Sequence, residues 1–174
     1  MVKTPSLALN ITALNIVWFA AVLGAANGLY WLGPASLALS LYIQFRADLK
    51  NTTLIKFLTI TAVIGILADS IMILTGAISF ECCSILPQNY PFWMASLWIS
   101  FSTALFSSLS WLRNKFTLSS AIGCIGGAMA YYGGHKLGAI SLATDTANAL
   151  LIIGMIWAIA MPLISFIHLK LFPK

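Results

Sequence analysis

The chain has 174 residues, 60% of them hydrophobic and only 7% charged, with a mean hydropathy of +0.96. That composition excludes a soluble globular domain. The net charge of +5 does not point to nucleic acid, because the cations stand singly at the ends of apolar stretches, with no basic patch interleaved with aromatics.

Six apolar stretches are long enough to read as spans: residues 7–27, 28–45, 54–80, 91–111, 116–135 and 146–169. A crossing takes about 20 mostly apolar residues, so these spans leave room for connections and no soluble domain. The expectation is an all-α polytopic membrane protein, a compact six-helix bundle forming one domain over residues 1–174.

The first stretch carries Asn10, Asn15 and Asn27, lacks a small-residue cleavage site, and is expected to stay as an uncleaved span. Tyr30 and Trp31 lie in the turn to the second stretch, and Arg46, Asp48, Lys50 and Asn51 in the next turn. The third stretch holds Asp69. A carboxylate at bilayer depth costs roughly 2.5–3.5 kcal/mol on insertion scales, which makes it a candidate site. Thr61, Gly65, Asp69, Met72 and Gly76 fall on one helical face, whose small residues allow another helix close. Asp69 reads either as a functional acid or as an interhelical hydrogen-bonding group.

The longest connection, residues 81–90, carries the vicinal Cys82 and Cys83, best read with Cys124 as small apolar side chains, not a disulfide or a metal site. In the fourth stretch Trp93, Ser96, Ser100, Thr103, Ser107 and Ser110 alternate at three and four residues, so their hydroxyls share one stripe. The stripe suits helix packing or a hydrophilic passage. Measured from the helix ends at 1.5 Å per residue, Asp69, Thr103 and Asn15 share a depth of about 16–18 Å. A buried polar cluster of Asp69, Asn15, Thr103, Ser100 and Ser107 is the expected centre of the bundle.

The fifth stretch contains Gly123, Gly126 and Gly127, a close-packing surface and, secondarily, a homodimer or partner interface. Tyr131, His135 and Lys136 follow at its end, and Asp145 opens the sixth stretch. Thr144 or Asp145 would cap that helix. Tyr131, His135, Lys136 and Asp145 form a candidate polar set at one face. Eight of the nine Lys and Arg residues fall on the opposite face with both termini, and Lys136 stands alone. That asymmetry places both termini in the cytoplasm. No metal or nucleotide motif, nucleophile elbow or paired heme histidine is present, so no cofactor is expected.

The landmarks, in order, are Asn15 with Trp18; Trp31-Leu32-Gly33; Gly65-x-x-x-Asp69-Ser70; Pro91-Phe92-Trp93; Leu97-Trp98; and Phe101. Ser108-Leu109-x-Trp111-Leu112, Gly126-Gly127-x-x-x-Tyr131-x-Gly133-Gly134 and Leu137-Gly138-Ala139 complete them. In these the chain resembles the DUF2878 family of bacterial inner-membrane proteins. Ala128 stands where that pattern is expected to carry a proline. The resemblance implies a compact bacterial membrane protein and supplies no catalytic residue.

Two functional readings follow. The first is a small transport, lipid-handling or accessory membrane component whose partners are membrane lipids or another membrane protein. The second is a membrane-embedded enzyme, or enzyme subunit, acting on a lipid or isoprenoid-like substrate through the Tyr131, His135, Lys136 and Asp145 set. Assembly through the glycine face is a third.

Overall fold

Ser6, Asn51 and Asp145 each start a helix in the same way, with a side-chain oxygen accepting backbone N–H groups of the first turn. The helices of the computed structural model are α1 Leu7–Ala26, α2 Leu32–Phe45, α3 Thr52–Leu74, α4 Phe92–Thr103, α5 Phe116–Lys136 and α6 Thr146–Leu171. The structure describes residues 2–80, 84–86 and 90–173. Cys82 and Cys83 lie outside the described residues.

The helices run alternately between two ends. One end gathers Val2, Thr4, Pro5, Asn51, Thr53, Arg113 and Phe172 around a single cavity, and the Lys3 backbone N–H donates to Asp48 Oδ2 at 3.0 Å. The other end brings Gly28, Phe80, Trp93, His135 and Gly138 together. There, short antiparallel segments Ile78–Ser79 and Ser141–Leu142 pair. The two ends are called here the basic end and the far end. α5 packs along α6 and α1 along α2, while α4 touches α1, α2 and α3.

Large apolar side chains cover the outside of the bundle: Leu67, Leu74, Ile125, Met129 and Ile159 are all well exposed. The inside holds Asn10, Thr61, Asp69, Ser100, Thr103 and Ser165, each essentially fully buried. Polar groups inside and large apolar groups outside is the arrangement a hydrocarbon solvent imposes. α1, α3 and α6 are apolar and long enough to cross a membrane.

The other three expected spans fall short: α5 has the length, 21 residues, but is less apolar than these, and two more are cut short. α2 has 14 residues, roughly 21 Å of helix against a hydrocarbon core of about 30 Å. α4 stops at Thr103 and continues only as 3-10 turns at Ala104–Phe106 and Ser110–Leu112. Its last hydroxyls bond back to the helix, Ser102 Oγ to the Ile99 carbonyl at 2.7 Å and Thr103 Oγ1 to the Ser100 carbonyl at 2.7 Å. Such bonds compete with the helical ladder. The freed backbone is met by Asn10 of α1. Its Nδ2 donates to the Thr103 carbonyl at 3.3 Å, and its Oδ1 accepts from the Ser108 N–H at 3.3 Å and Ser108 Oγ at 2.7 Å.

α6 contains a second irregularity met in the same way. Pro162 has no N–H for the Ala158 carbonyl one turn back. Ser120 Oγ of α5 donates to that carbonyl at 2.7 Å. α5 itself runs unbroken through Ala128, the position where the family pattern is expected to bend it.

Candidate functional site

Gly65 and Asp69 stand one turn apart on the buried face of α3. A Cβ on Gly65 would lie 2.1 Å from Cγ of Trp98, so only glycine leaves room for that indole. Trp98, from α4, crosses this slot and donates Nε1–H to Asp69 Oδ2 at 2.9 Å. Its outer face stacks on Trp157 of α6, with centroids 4.3 Å apart and planes within 12°. Beyond Trp157, a Cβ on Gly127 of α5 would lie 2.2 Å from Trp157 Cγ. Four helices thus meet in one layer: glycine, indole, indole, glycine.

The other carboxylate oxygen, Asp69 Oδ1, accepts a hydrogen bond from the Tyr131 hydroxyl of α5. Asp69 is completely buried, and Tyr131 and Trp98 nearly so. The side chains acting on the carboxylate are Tyr131, Trp98 and Tyr90, none of them a cation. Tyr90 brings a third neutral group, its hydroxyl, close to the same carboxylate. With neutral donors on both oxygens, the group is arranged to hold two ring systems in fixed orientation.

Those rings wall a cavity. A hollow of about 300 Å³ is lined by Trp98, Tyr131 and Trp157 together with Trp18, Phe101 and Ala130. The buried hydroxyl of Ser100, also in its wall, and Trp157 Nε1 have no hydrogen-bond partner among the described residues. Asn15 is exposed and lines the same hollow, so the hollow is reachable from outside the bundle.

The expected cluster of Asp69, Asn15, Thr103, Ser100 and Ser107 is divided. Asn15 is not with Asp69: its Nδ2 donates to the Ile11 carbonyl at 2.8 Å on the outer surface. Thr103 belongs to the Asn10 network, where Asn10 Nδ2 also donates to Gln44 Oε1 at 2.8 Å and Gln44 Nε2 to Ser40 Oγ at 2.8 Å. Ser107, past the end of α4, lines the cavity at the basic end. The common depth fails because α3 ends at Leu74, which leaves Asp69 five residues from the helix end, about 7.5 Å instead of 16.

The far-end set is divided as well. Tyr131 turns inward to Asp69. His135 Nδ1 lies 3.2 Å from the Ile140 carbonyl, Lys136 Nζ lies 5.2 Å from the centroid of the Tyr132 ring, and Asp145 caps α6 by accepting from the Asn148 N–H at 3.1 Å. Each makes a local contact, and the four do not converge. Gly123 and Gly127 press against Met161 and Trp157 of α6, so that glycine face is occupied within the chain, while Gly126 is exposed with nothing near its Cβ position.

Trp98, Trp157, Asn10, Gln44 and His168 were not expected as site or network residues. The signals for three of them were present: Trp98 can reach across a glycine one turn from an acid, and Asn10 and Gln44 are amides inside apolar stretches. No curated protein and no solved structure matches the chain. The model of the family described as "Protein of unknown function (DUF2878)" matches residues 7–163, and the chain belongs to that family.

Proposed function

We propose that the protein is a lipid-handling, multi-pass component of the bacterial inner membrane, taking an acyl or isoprenoid-like chain into the aromatic hollow beside Asp69. In this reading the chain crosses the bilayer six times, α2 and α4 with help from the turns that follow them. The basic end faces the cytoplasm, in keeping with its Lys and Arg residues.

The observation that carries the reading is the hollow of about 300 Å³ between the helices, walled by rings that Asp69 fixes in place. Ligand pockets of about 300–1,000 Å³ lined by aromatics with few polar groups are usual sites for apolar molecules. Asn15 on its exposed side gives access from the surrounding lipid. Solute transport through Asp69 is less well supported, because the carboxylate is completely buried and already engaged on both oxygens. The enzymatic reading loses its motivation with the separation of Tyr131, His135, Lys136 and Asp145.

Native mass spectrometry of the full chain, extracted in mild detergent, tests the proposal. The wild type is expected to retain one lipid-sized adduct. Ala130→Trp, which fills the hollow, should lose it, and Ile125→Trp on the outer surface should keep it. A wild type without an adduct, or a folded Ala130→Trp protein that binds as the wild type does, contradicts the reading.

A further inference from the structure

A different cavity, at the basic end, is larger and more polar in its lining. It encloses about 820 Å³ and is bounded by the broken segment after α4, the start of the chain, the N-terminus of α3 and the last turn of α6. His168 forms part of its wall and is only 2% exposed. Neither ring nitrogen of His168 has a hydrogen-bond partner among the described residues. The ring is held in place by Phe57, Phe106 and Phe172, with centroids 5.2, 4.6 and 5.2 Å away.

Arg113 lines the same cavity. One of its terminal nitrogens donates to the Phe172 carbonyl, while its buried Nε has no partner among the described residues. Ser107, Ser110, Asn51 and Thr53 add hydroxyl and amide groups to the wall, and among the described residues no Asp or Glu lines it. Buried polar atoms left unpaired are destabilising unless something else satisfies them. Three such atoms on two side chains around one hollow mark a place where something else completes the hydrogen bonding.

We infer that this cavity is a binding site for a phosphate group, with Arg113 and His168 as its principal donors and the surrounding hydroxyls completing the shell. The guanidinium supplies fixed positive charge and a planar set of donors matched to phosphate oxygens. An imidazole N–H of His168 adds a second donor, and Ser107 and Ser110 come from a stretch where the helix has already given way. The phosphate is carried either by a lipid headgroup at the membrane surface or by a free anion. The site is independent of the aromatic hollow and stands whether or not that hollow takes a lipid chain.

The test uses the full-length protein in nanodiscs and in detergent. Inorganic phosphate binding is measured by equilibrium dialysis against chloride, and retention of phosphatidylglycerol against a neutral glycolipid by native mass spectrometry. One equivalent of phosphate-bearing ligand is expected. His168→Phe, which keeps the ring packing and touches no bulk lipid, and Arg113→Gln should each weaken it at least tenfold. Binding of phosphatidylglycerol alone assigns the phosphate to a lipid, and binding of inorganic phosphate alone assigns it to a free anion. The inference is overturned if wild-type protein binds neither. It is also overturned if His168→Phe, shown folded by its melting curve, binds as tightly as wild type. Should either variant fail to fold, the wild-type stoichiometry decides alone.

Discussion

Asp69 owes its position to the two donors it satisfies. Trp98 Nε1 and the Tyr131 hydroxyl are both buried, and each has the carboxylate as its partner. Asp69→Ala would strand both, at roughly 1–3 kcal/mol for each orphaned donor. For a chain of this length that is a fall in Tm of at least about 4 °C. Asp69→Asn keeps one acceptor oxygen and should lose less than the alanine variant. Thermal unfolding in detergent measures both, and equal losses would show that the carboxylate does not hold the rings. The acid itself was legible in the sequence, since a charged residue inside an apolar stretch is costly. Its partners were not, because tryptophan and tyrosine in such a stretch read equally well as packing or interface residues. Asn15 was matched to Asp69 by depth alone. Asn10, five residues earlier on α1 and so about 140° around the helix, faces inward instead.

At the scale of helices, the glycines separate by what lies opposite them. Gly65→Ala would drive a Cβ into the Trp98 indole, overpacking that costs about 1–3 kcal/mol and displaces the ring from Asp69. Gly126→Ala meets open space and should be neutral or stabilising by up to about 1 kcal/mol, through helix propensity alone. Melting temperatures of the two variants should move in opposite directions or differ by several degrees. A matching fall in both would show that the fifth helix packs through Gly126 after all.

The pairing of Ser120 with Pro162 gives a second test at this scale. Ser120→Ala leaves the Ala158 carbonyl without its donor, at roughly 1–3 kcal/mol. In a Pro162→Ala background the backbone N–H returns and the same change should cost much less. A double-mutant cycle on thermal stability reads this coupling, and additive effects would argue against it. The break in α4 was hidden in the sequence for a related reason. Apolar residues continue past Thr103, and the group that satisfies the broken backbone, Asn10, is 98 residues away from Ser108 in the chain.

Taken whole, the molecule is a bundle whose apolar exterior and inward-turned polar groups suit a bilayer. The six apolar stretches correspond to six helices, because hydrophobic runs bounded by charged or glycine-rich turns are a strong local signal. Their lengths were less legible: hydropathy does not distinguish helix from the irregular backbone at 104–112 or from the segment after Leu74. The layer of Gly65, Trp98, Trp157 and Gly127 depends on four helices at once, which no periodicity within one helix reveals. The same layer walls the hollow assigned to a lipid chain. A phospholipid bearing a diazirine near its chain terminus, crosslinked in native membranes and mapped by peptide mass spectrometry, reads the occupant of that hollow. Labels on Trp18, Phe101 or Ala130 are expected, reduced by Ala130→Trp. Labels confined to the outward-facing Ile125, Met129 and Ile159 would mean that lipid surrounds the bundle without entering it.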